Sequence, residues 1–367
     1  MKLQEIELST IHLPLVRPFR TSFGTQTSRE VLMVKVTNEN GKVGWAECVA
    51  MSQPLYSPEY VIGCIDLMKR FLIPALRAQE SIIAEDVADL LKPYLGGQMA
   101  KAALETAILD AQLKDQGISL AKYLGASKTK VECGVSVGIA NNLDALVEEV
   151  KSYVDTGYRR IKLKIEPGWD YEAVKLIRSI YPDMPMQVDA NQAYSRSDGK
   201  LLAKLDEFNL LLIEQPLDEH DILGHALLAK EVKTPICLDE SIISLQSAQD
   251  ALALKATTVI NIKPGRVGGY LESVKIHDLC FKNKIPVWCG GMLETGIGRA
   301  ANLALAALPG FTLPGDTSAS ARYFKQDITT PFVMEDGYLT VPTGDGIGVT
   351  PNMEFLDSIT TFSEVIK

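Results

Sequence analysis

Lys164, Asp189, Glu214, Asp239 and Lys263 follow one another at intervals of 25, 25, 25 and 24 residues, and each ends a short apolar run. The runs are Arg160-Ile-Lys-Leu-Lys164, Met186-Gln-Val-Asp189, Leu211-Leu-Ile-Glu214, Ile236-Cys-Leu-Asp239 and Val259-Ile-Asn-Ile-Lys263. They are too short for helices and rich in Val, Ile and Leu, so they read as strands buried on both faces. Helix-forming stretches at 171–180, 198–208 and 223–232 separate them. Strand–helix alternation of this period predicts parallel strands.

If the strands close into a barrel, their C-terminal ends converge on one mouth, the face that carries active sites in that architecture. Three carboxylates and two lysines then meet there. Crowded carboxylates repel unless positive charge lies between them. A hard divalent cation takes oxygen ligands, and Mg²⁺ takes few from protein, so Asp189, Glu214 and Asp239 are candidate ligands. One Asp at a strand end is more often a helix cap or an ion-pair partner; five polar residues in phase are not explained that way.

The elements that must position these residues fit a chain of 367 residues, long enough for a large core and for two domains. A net charge of −9 argues against non-specific binding to nucleic acid or to an anionic membrane. Six cysteines (Cys48, Cys64, Cys133, Cys237, Cys280, Cys289) are scattered without a C-x-x-C pair. They read as buried thiols, which suits a reducing cytoplasm. The N-terminus has no signal-peptide core, and no apolar stretch reaches membrane-spanning length.

Residues 1–50 read as antiparallel strands with a turn at Asn38-Glu-Asn-Gly-Lys42. Arg17-Pro-Phe-Arg-Thr-Ser-Phe-Gly24 reads as a flexible loop with adhesive aromatics, and residues 51–57 as a second loop. Residues 57–125 read as helical. The expected organisation is an α+β capping domain over 1–128, a barrel over 129–322, and a Gly/Pro-rich tail over 323–367 that returns to the capping domain. Val131-Glu-Cys-Gly-Val-Ser-Val-Gly138 is expected as barrel strand 1, Pro286-Val-Trp-Cys-Gly-Gly-Met-Leu-Glu294 as strand 7 and its loop, and an eighth strand near Phe311.

Lys162-Leu-Lys164, Asp189-Ala-Asn191, Glu214-Gln-Pro216, Asp239-Glu-Ser241, Asn261-Ile-Lys263 and Gly290-Gly-Met-Leu-Glu-Thr-Gly-Ile-Gly298 together resemble the enolase superfamily, muconate-lactonizing branch, along essentially the whole chain. Within that branch, Lys263-Pro-Gly-Arg-Val-Gly-Gly269 and the stretch from Leu313 to Phe324 are similar to the o-succinylbenzoate synthase / N-succinylamino acid racemase group. The resemblance implies an α/β fold: a modified TIM barrel, (β/α)₇β, with an α+β capping domain built from both chain ends. Dipeptide epimerases of the superfamily carry Asp-x-Asp after the last barrel strand. Gly315-Asp316-Thr317-Ser318 has one Asp, and the strand-8 glutamate of muconate-lactonizing enzymes is missing.

The implied chemistry is removal of a proton alpha to a carboxylate, with a divalent cation (Mg²⁺, or Mn²⁺ in its place) held by Asp189, Glu214 and Asp239 stabilising the enediolate. Lys164 is the expected base, with Lys162 on the same side of its strand depressing it. Lys263 faces it across the mouth. Arg266 is expected to depress Lys263 in turn. Asn191 and Glu240 are expected to orient ligands or lysines. Ser136 and the Gly291-Met292-Leu293 backbone would bind the far end of the substrate, and Phe19, Phe23 and Tyr56 would close over it. The expected activity is a Mg²⁺-dependent dehydration yielding o-succinylbenzoate in menaquinone biosynthesis, with racemisation of N-succinylamino acids. The alternative is a dedicated N-acylamino acid racemase or another acid epimerase. The expected partner is a small carboxylate, without nucleic acid or membrane, and pairing into a homo-oligomer is expected because barrels of this type often pair.

Overall fold

A computed structural model describes all residues, Met1–Lys367. Strands β1 (Leu3–Thr21), β2 (Gly24–Asn38) and β3 (Val43–Cys48) form an antiparallel sheet. The Asn38 side chain closes the β2–β3 turn by accepting from the amides of Asn40 and Lys42, at 3.0 and 2.9 Å, and Gly41 takes the positive φ of 73° that this turn needs. Helix Gln98–Gln116 lies against the sheet. A Cβ at residue 44 would collide with the helix backbone at Ala107 and Ala111, so Gly44 sets how closely β3 approaches it.

The stretch Arg17–Gly24 is not a loop. Phe19 pairs with Gln26, Arg20 with Thr25 and Thr21 with Gly24, so it forms the tip of a long hairpin with Ser22 and Phe23 at the turn. Its Pro and Gly suggest a loop, but pairing with β2 imposes strand register up to Thr21.

Strand β4 (Lys130–Glu132) is followed by β5 (Gly134–Val137), β6 (Arg160–Lys164), β7 (Met186–Asp189), β8 (Ile213–Glu214), β9 (Ile236–Leu238), β10 (Val259–Ile262) and β11 (Val287–Cys289). Strands β5 to β11 form one parallel sheet in sequence order, which curls. Its two edges are bridged by the segment 311–316. Thr312 N donates to Val287 O at 3.2 Å, Asp316 N to Cys289 O at 2.9 Å, and Gly134 N to Gly315 O at 2.7 Å. This segment stands where an eighth strand would, and no barrel helix follows it, in keeping with a modified (β/α)₇β barrel under a capping sheet.

The expected strand 131–138 is split at Cys133. Its first part, β4, pairs antiparallel with β12 (Tyr338–Thr340), and only β5 enters the barrel. The chain ends in β13 (Thr360–Ile366), antiparallel to β1, so the C-terminus completes the capping sheet. One large apolar core runs through both parts, and a small cluster of Leu212, Cys237, Val259 and Trp288 fills the barrel floor. No helix is long and apolar enough to cross a membrane.

Candidate active site

Side chains alternate along a strand, so Lys162 and Lys164 point to the same side of β6. Register does the rest: Lys164 pairs with Asp189 across β6–β7, and Asp189 with Glu214 across β7–β8. Asp239 and Lys263 directly follow β9 and β10. All six side chains are buried.

Lys162 Nζ lies 3.1 Å from Asp189 Oδ2, 3.0 Å from Glu214 Oε2 and 2.8 Å from Asp316 Oδ2. The Trp288 ring is its floor, 4.6 Å from the ammonium. Lys164 Nζ donates to Asp189 Oδ2 at 2.7 Å and to Asn191 Oδ1 at 2.5 Å. Asn191 Nδ2 donates to Glu240 Oε1 at 3.0 Å. Lys263 Nζ donates to Asp239 Oδ2 at 2.8 Å and to Tyr56 Oη at 3.1 Å. Arg266 pairs with Asp239 and donates to the carbonyls of Ile242 and Asn261, at 2.7 and 2.6 Å.

Charge and burial set the proton affinities. Burial depresses Lys164, the charge of Lys162 adds to this, Asp189 opposes it, and the net shift is downward. Burial also acts on Lys162, but Asp316, Glu214 and Asp189 outweigh it and raise the pKa. Asp189 is held well below the usual carboxylate range because Lys164 and Lys162 overcome burial. Glu214 is pushed up by burial and by Asp189, and Glu240 to about 7 by the same two causes. The depression of Lys263 expected from Arg266 is not the net result. Burial lowers Lys263, but Tyr56, Glu214, Glu240 and Asp189 raise it further, leaving it above its ordinary value. The Arg266 charge is directed to Asp239 instead.

The carboxyl oxygens are donors of the kind a hard divalent cation takes, and Glu240 Oε2 and Asn261 Oδ1 are buried acceptors without a hydrogen-bond partner. No three acidic, histidine or cysteine side chains are grouped to close on one ion. Asp189, Glu214 and Asp239 each face an ammonium or guanidinium group instead. The donor chemistry fits Mg²⁺; the side-chain positions are those of ion-paired carboxylates.

The remaining candidates surround this centre unequally. Tyr56 is buried in it, and Phe23 packs on Tyr56 with ring centroids 6.2 Å apart. Ser22 Oγ donates to the carbonyls of Ala190 and Asn191, each at 3.2 Å, seating the hairpin tip over the mouth. Beside it a cleft of about 400 Å³ is lined by Ser22, Phe23, Glu166 and Asn191. Phe19 instead packs beneath the hairpin, against Arg322 and Gly138. Ser136 donates to Asp316 Oδ2 at 3.1 Å, and a Cβ at Gly291 would stand 3.0 Å from Asp316 O. Met292 and Leu293 are both buried beside them.

Sequence reasoning missed Asp316, Asn261 and Gln215 as site residues. Asn261 Nδ2 donates to Glu214 Oε1 at 2.7 Å, and strand alternation from Lys263 would have found it. In the sequence Asp316 stands out only by lacking a second Asp beside it.

A family model described as enolase C-terminal domain-like matches residues 145–355, and one described as the mandelate racemase / muconate lactonizing enzyme N-terminal domain matches residues 5–125. The chain belongs to the enolase superfamily. It is similar to an N-succinylamino acid racemase of Amycolatopsis sp, 56% identical over 362 residues and 98% of each chain. An o-succinylbenzoate synthase of Bacillus subtilis (strain 168) is 44% identical over 366 residues, 100% of this chain and 98% of that one. A crystal structure of an enolase superfamily member from Listeria innocua Clip11262 superposes with a TM-score of 0.96 at 42% identity, covering 100% of this chain and 99% of the other.

Proposed function

We propose that this enolase superfamily member is a Mg²⁺-dependent o-succinylbenzoate synthase of menaquinone biosynthesis that also racemises N-succinylamino acids. The observation that carries the reading is the pair of buried lysines at one barrel mouth. Lys164 ends β6 and Lys263 follows β10, with β7, β8 and β9 and their carboxylates between them.

Asp189, Glu214 and Asp239 would hold the divalent cation, Mg²⁺ or Mn²⁺. Bound there, it would supply positive charge to the substrate carboxylate and so acidify the α-proton. In the dehydration, the neutral Lys164 amine takes the α-proton, and charge builds on the carboxylate oxygens. The C–O bond to the leaving hydroxyl then breaks, and the Lys164 ammonium returns its proton so that water departs. Lys263 stays protonated and stabilises the developing charge. In racemisation the two lysines work on opposite faces of one α-carbon: one removes the proton and the other delivers its own. Asn191 orients Lys164, and Phe23 and Tyr56 keep water from the carbanionic centre.

A dedicated N-succinylamino acid racemase is the second reading, favoured by the 56% identity to the Amycolatopsis protein. One experiment addresses both. One enantiomer of N-succinylphenylalanine is incubated with enzyme and Mg²⁺ in D₂O while the α-proton signal and the optical rotation are followed. Loss of both supports two-base chemistry. No change in either removes the racemase activity, and the cyclohexadiene dehydration assay then decides for or against the synthase.

A further inference from the structure

Glu47, near the end of β3 in the capping sheet, is buried and takes no part in the machinery above. Its two carboxylate oxygens accept from Thr295 N at 3.2 and 3.1 Å, and one also accepts from the Thr295 hydroxyl. Thr295 is the N-cap of helix Gly296–Ala306, which follows β11 and its loop. The Glu47 carboxyl group there accepts from the N-cap amide at the positive end of the helix dipole, while the next amide, Gly296 N, donates to Asp327 Oδ1. The approach depends on Gly298: a Cβ at that residue would stand 2.7 Å from Glu47 Oε1 and 2.9 Å from Glu294 Cγ.

The same turn is tied from its other side. Glu294 Oε1 accepts from Met292 N at 2.8 Å and from Asn302 Nδ2 at 3.0 Å, while Arg299 donates to Glu294 O at 2.8 Å. Leu293 sits between them at a φ of 58°, a conformation an L residue keeps only when its surroundings impose it. Behind the turn is a small cavity of about 30 Å³, bounded by Glu47, Glu294, Lys263 and Asn302. Burying Glu47 near Glu294 costs desolvation that an apolar contact would avoid. What the carboxyl group adds is direction, because its bonds to Thr295 fix where the turn ending there sits relative to the capping domain.

We propose that Glu47 is a positioning residue for the substrate: through Thr295 the capping domain holds the Gly291–Leu293 backbone at the barrel mouth. This rests on the proposed function in one respect, that this backbone binds the acyl end of the substrate. The residue touches neither the lysines nor the carboxylates of the centre, so its effect falls on binding rather than on proton transfer.

The test compares wild type with Glu47→Gln and Thr295→Val, with Mg²⁺ present, by steady-state racemisation of N-succinylphenylalanine and by amide hydrogen exchange over residues 291–299. Losing one such tie is expected to raise KM about tenfold with kcat within about twofold, and to speed exchange in that segment. A fall in kcat at unchanged KM, or no change in KM and in exchange, overturns the proposal. If Glu47→Gln does not fold, Thr295→Val carries the test. If wild type turns over neither substrate class, the proposed function fails, and amide exchange alone then decides whether Glu47 clamps the turn.

Discussion

Lys162 Nζ lies 2.8 Å from Asp316 Oδ2, so the lysine beside the expected base is tied to the segment that closes the barrel. Asp316 also takes Arg160, at 3.0 Å, and the Ser136 hydroxyl. Arg160, Lys162 and Asp316 are all buried. Lys162 keeps Asp189 and Glu214, but removing the Asp316 charge leaves the buried Arg160 without an anionic partner. Asp316→Asn is therefore expected to lower unfolding free energy by ~3–5 kcal/mol, measured by denaturant unfolding. An unchanged midpoint would mean that the pair offsets no more than its own desolvation.

The two lysines separate by stereochemistry. Lys164→Ala is expected to reduce both the dehydration and the racemisation by about 10³-fold or more, the scale of general acid–base catalysis. Lys263→Ala is expected to stop racemisation while one enantiomer still exchanges its α-proton in D₂O with its rotation retained, since Lys164 can return a deuteron to the face it deprotonates. Proton NMR with polarimetry on each enantiomer checks this. A synthase that survives Lys164→Ala would refute the assignment of the base.

Gln215 braces one of the expected cation ligands, Asp239, and the turn that follows it. Its Oε1 accepts from the amides of Asp239 and Ser241, at 3.0 and 3.2 Å, and its Nε2 donates to Ser241 Oγ and to Leu217 O, at 2.8 and 3.1 Å. Gln215→Leu leaves two buried amides unpaired, each costing ~1–3 kcal/mol. The expected outcome is weaker Mg²⁺ binding in a calorimetric titration, with chelation stopping α-proton exchange in wild type and added Mg²⁺ or Mn²⁺ restoring it. Exchange that persists in excess chelator would exclude the cation from the reaction.

How much of this was legible follows from what each residue's neighbours are. The spacing of Lys164, Asp189, Glu214, Asp239 and Lys263 is a consequence of local strand–helix repeats, so periodicity alone exposes both the parallel sheet and the residues at its C-terminal edge. The split of 131–138 at Cys133 depends on β12, some two hundred residues away, and no local pattern announces it. Glu47 and Glu105 are illegible for the same reason: each is an acidic residue in an ordinary strand or helix until the barrel docks on it. Arg266 was visible, but its direction was not, because Asp239 and the carbonyls of Ile242 and Asn261 decide where its charge goes.

Glu105 offers a pH test of that docking. It lies in helix Gln98–Gln116 and accepts from Tyr270 N at 2.6 Å and Leu271 N at 3.2 Å, capping helix Tyr270–Lys282. Burial pushes its pKa from 4.5 to about 8, against the two amides that favour the carboxylate. A carboxyl raised on folding holds its proton longer in the native state than in the unfolded one. Between pH 4.5 and about 8 the native state therefore binds more protons, and stability falls as pH rises through that window. Glu47 is shifted to about 8 by burial and Glu294 and adds in the same direction. Glu105→Gln removes one of these contributions, so its thermal midpoint is expected to fall less than that of wild type between pH 5 and pH 8. Scanning calorimetry of both proteins at the two pH values checks this. Parallel losses would mean that the two amide donors hold Glu105 ionised across the window and that it does not contribute to the pH dependence.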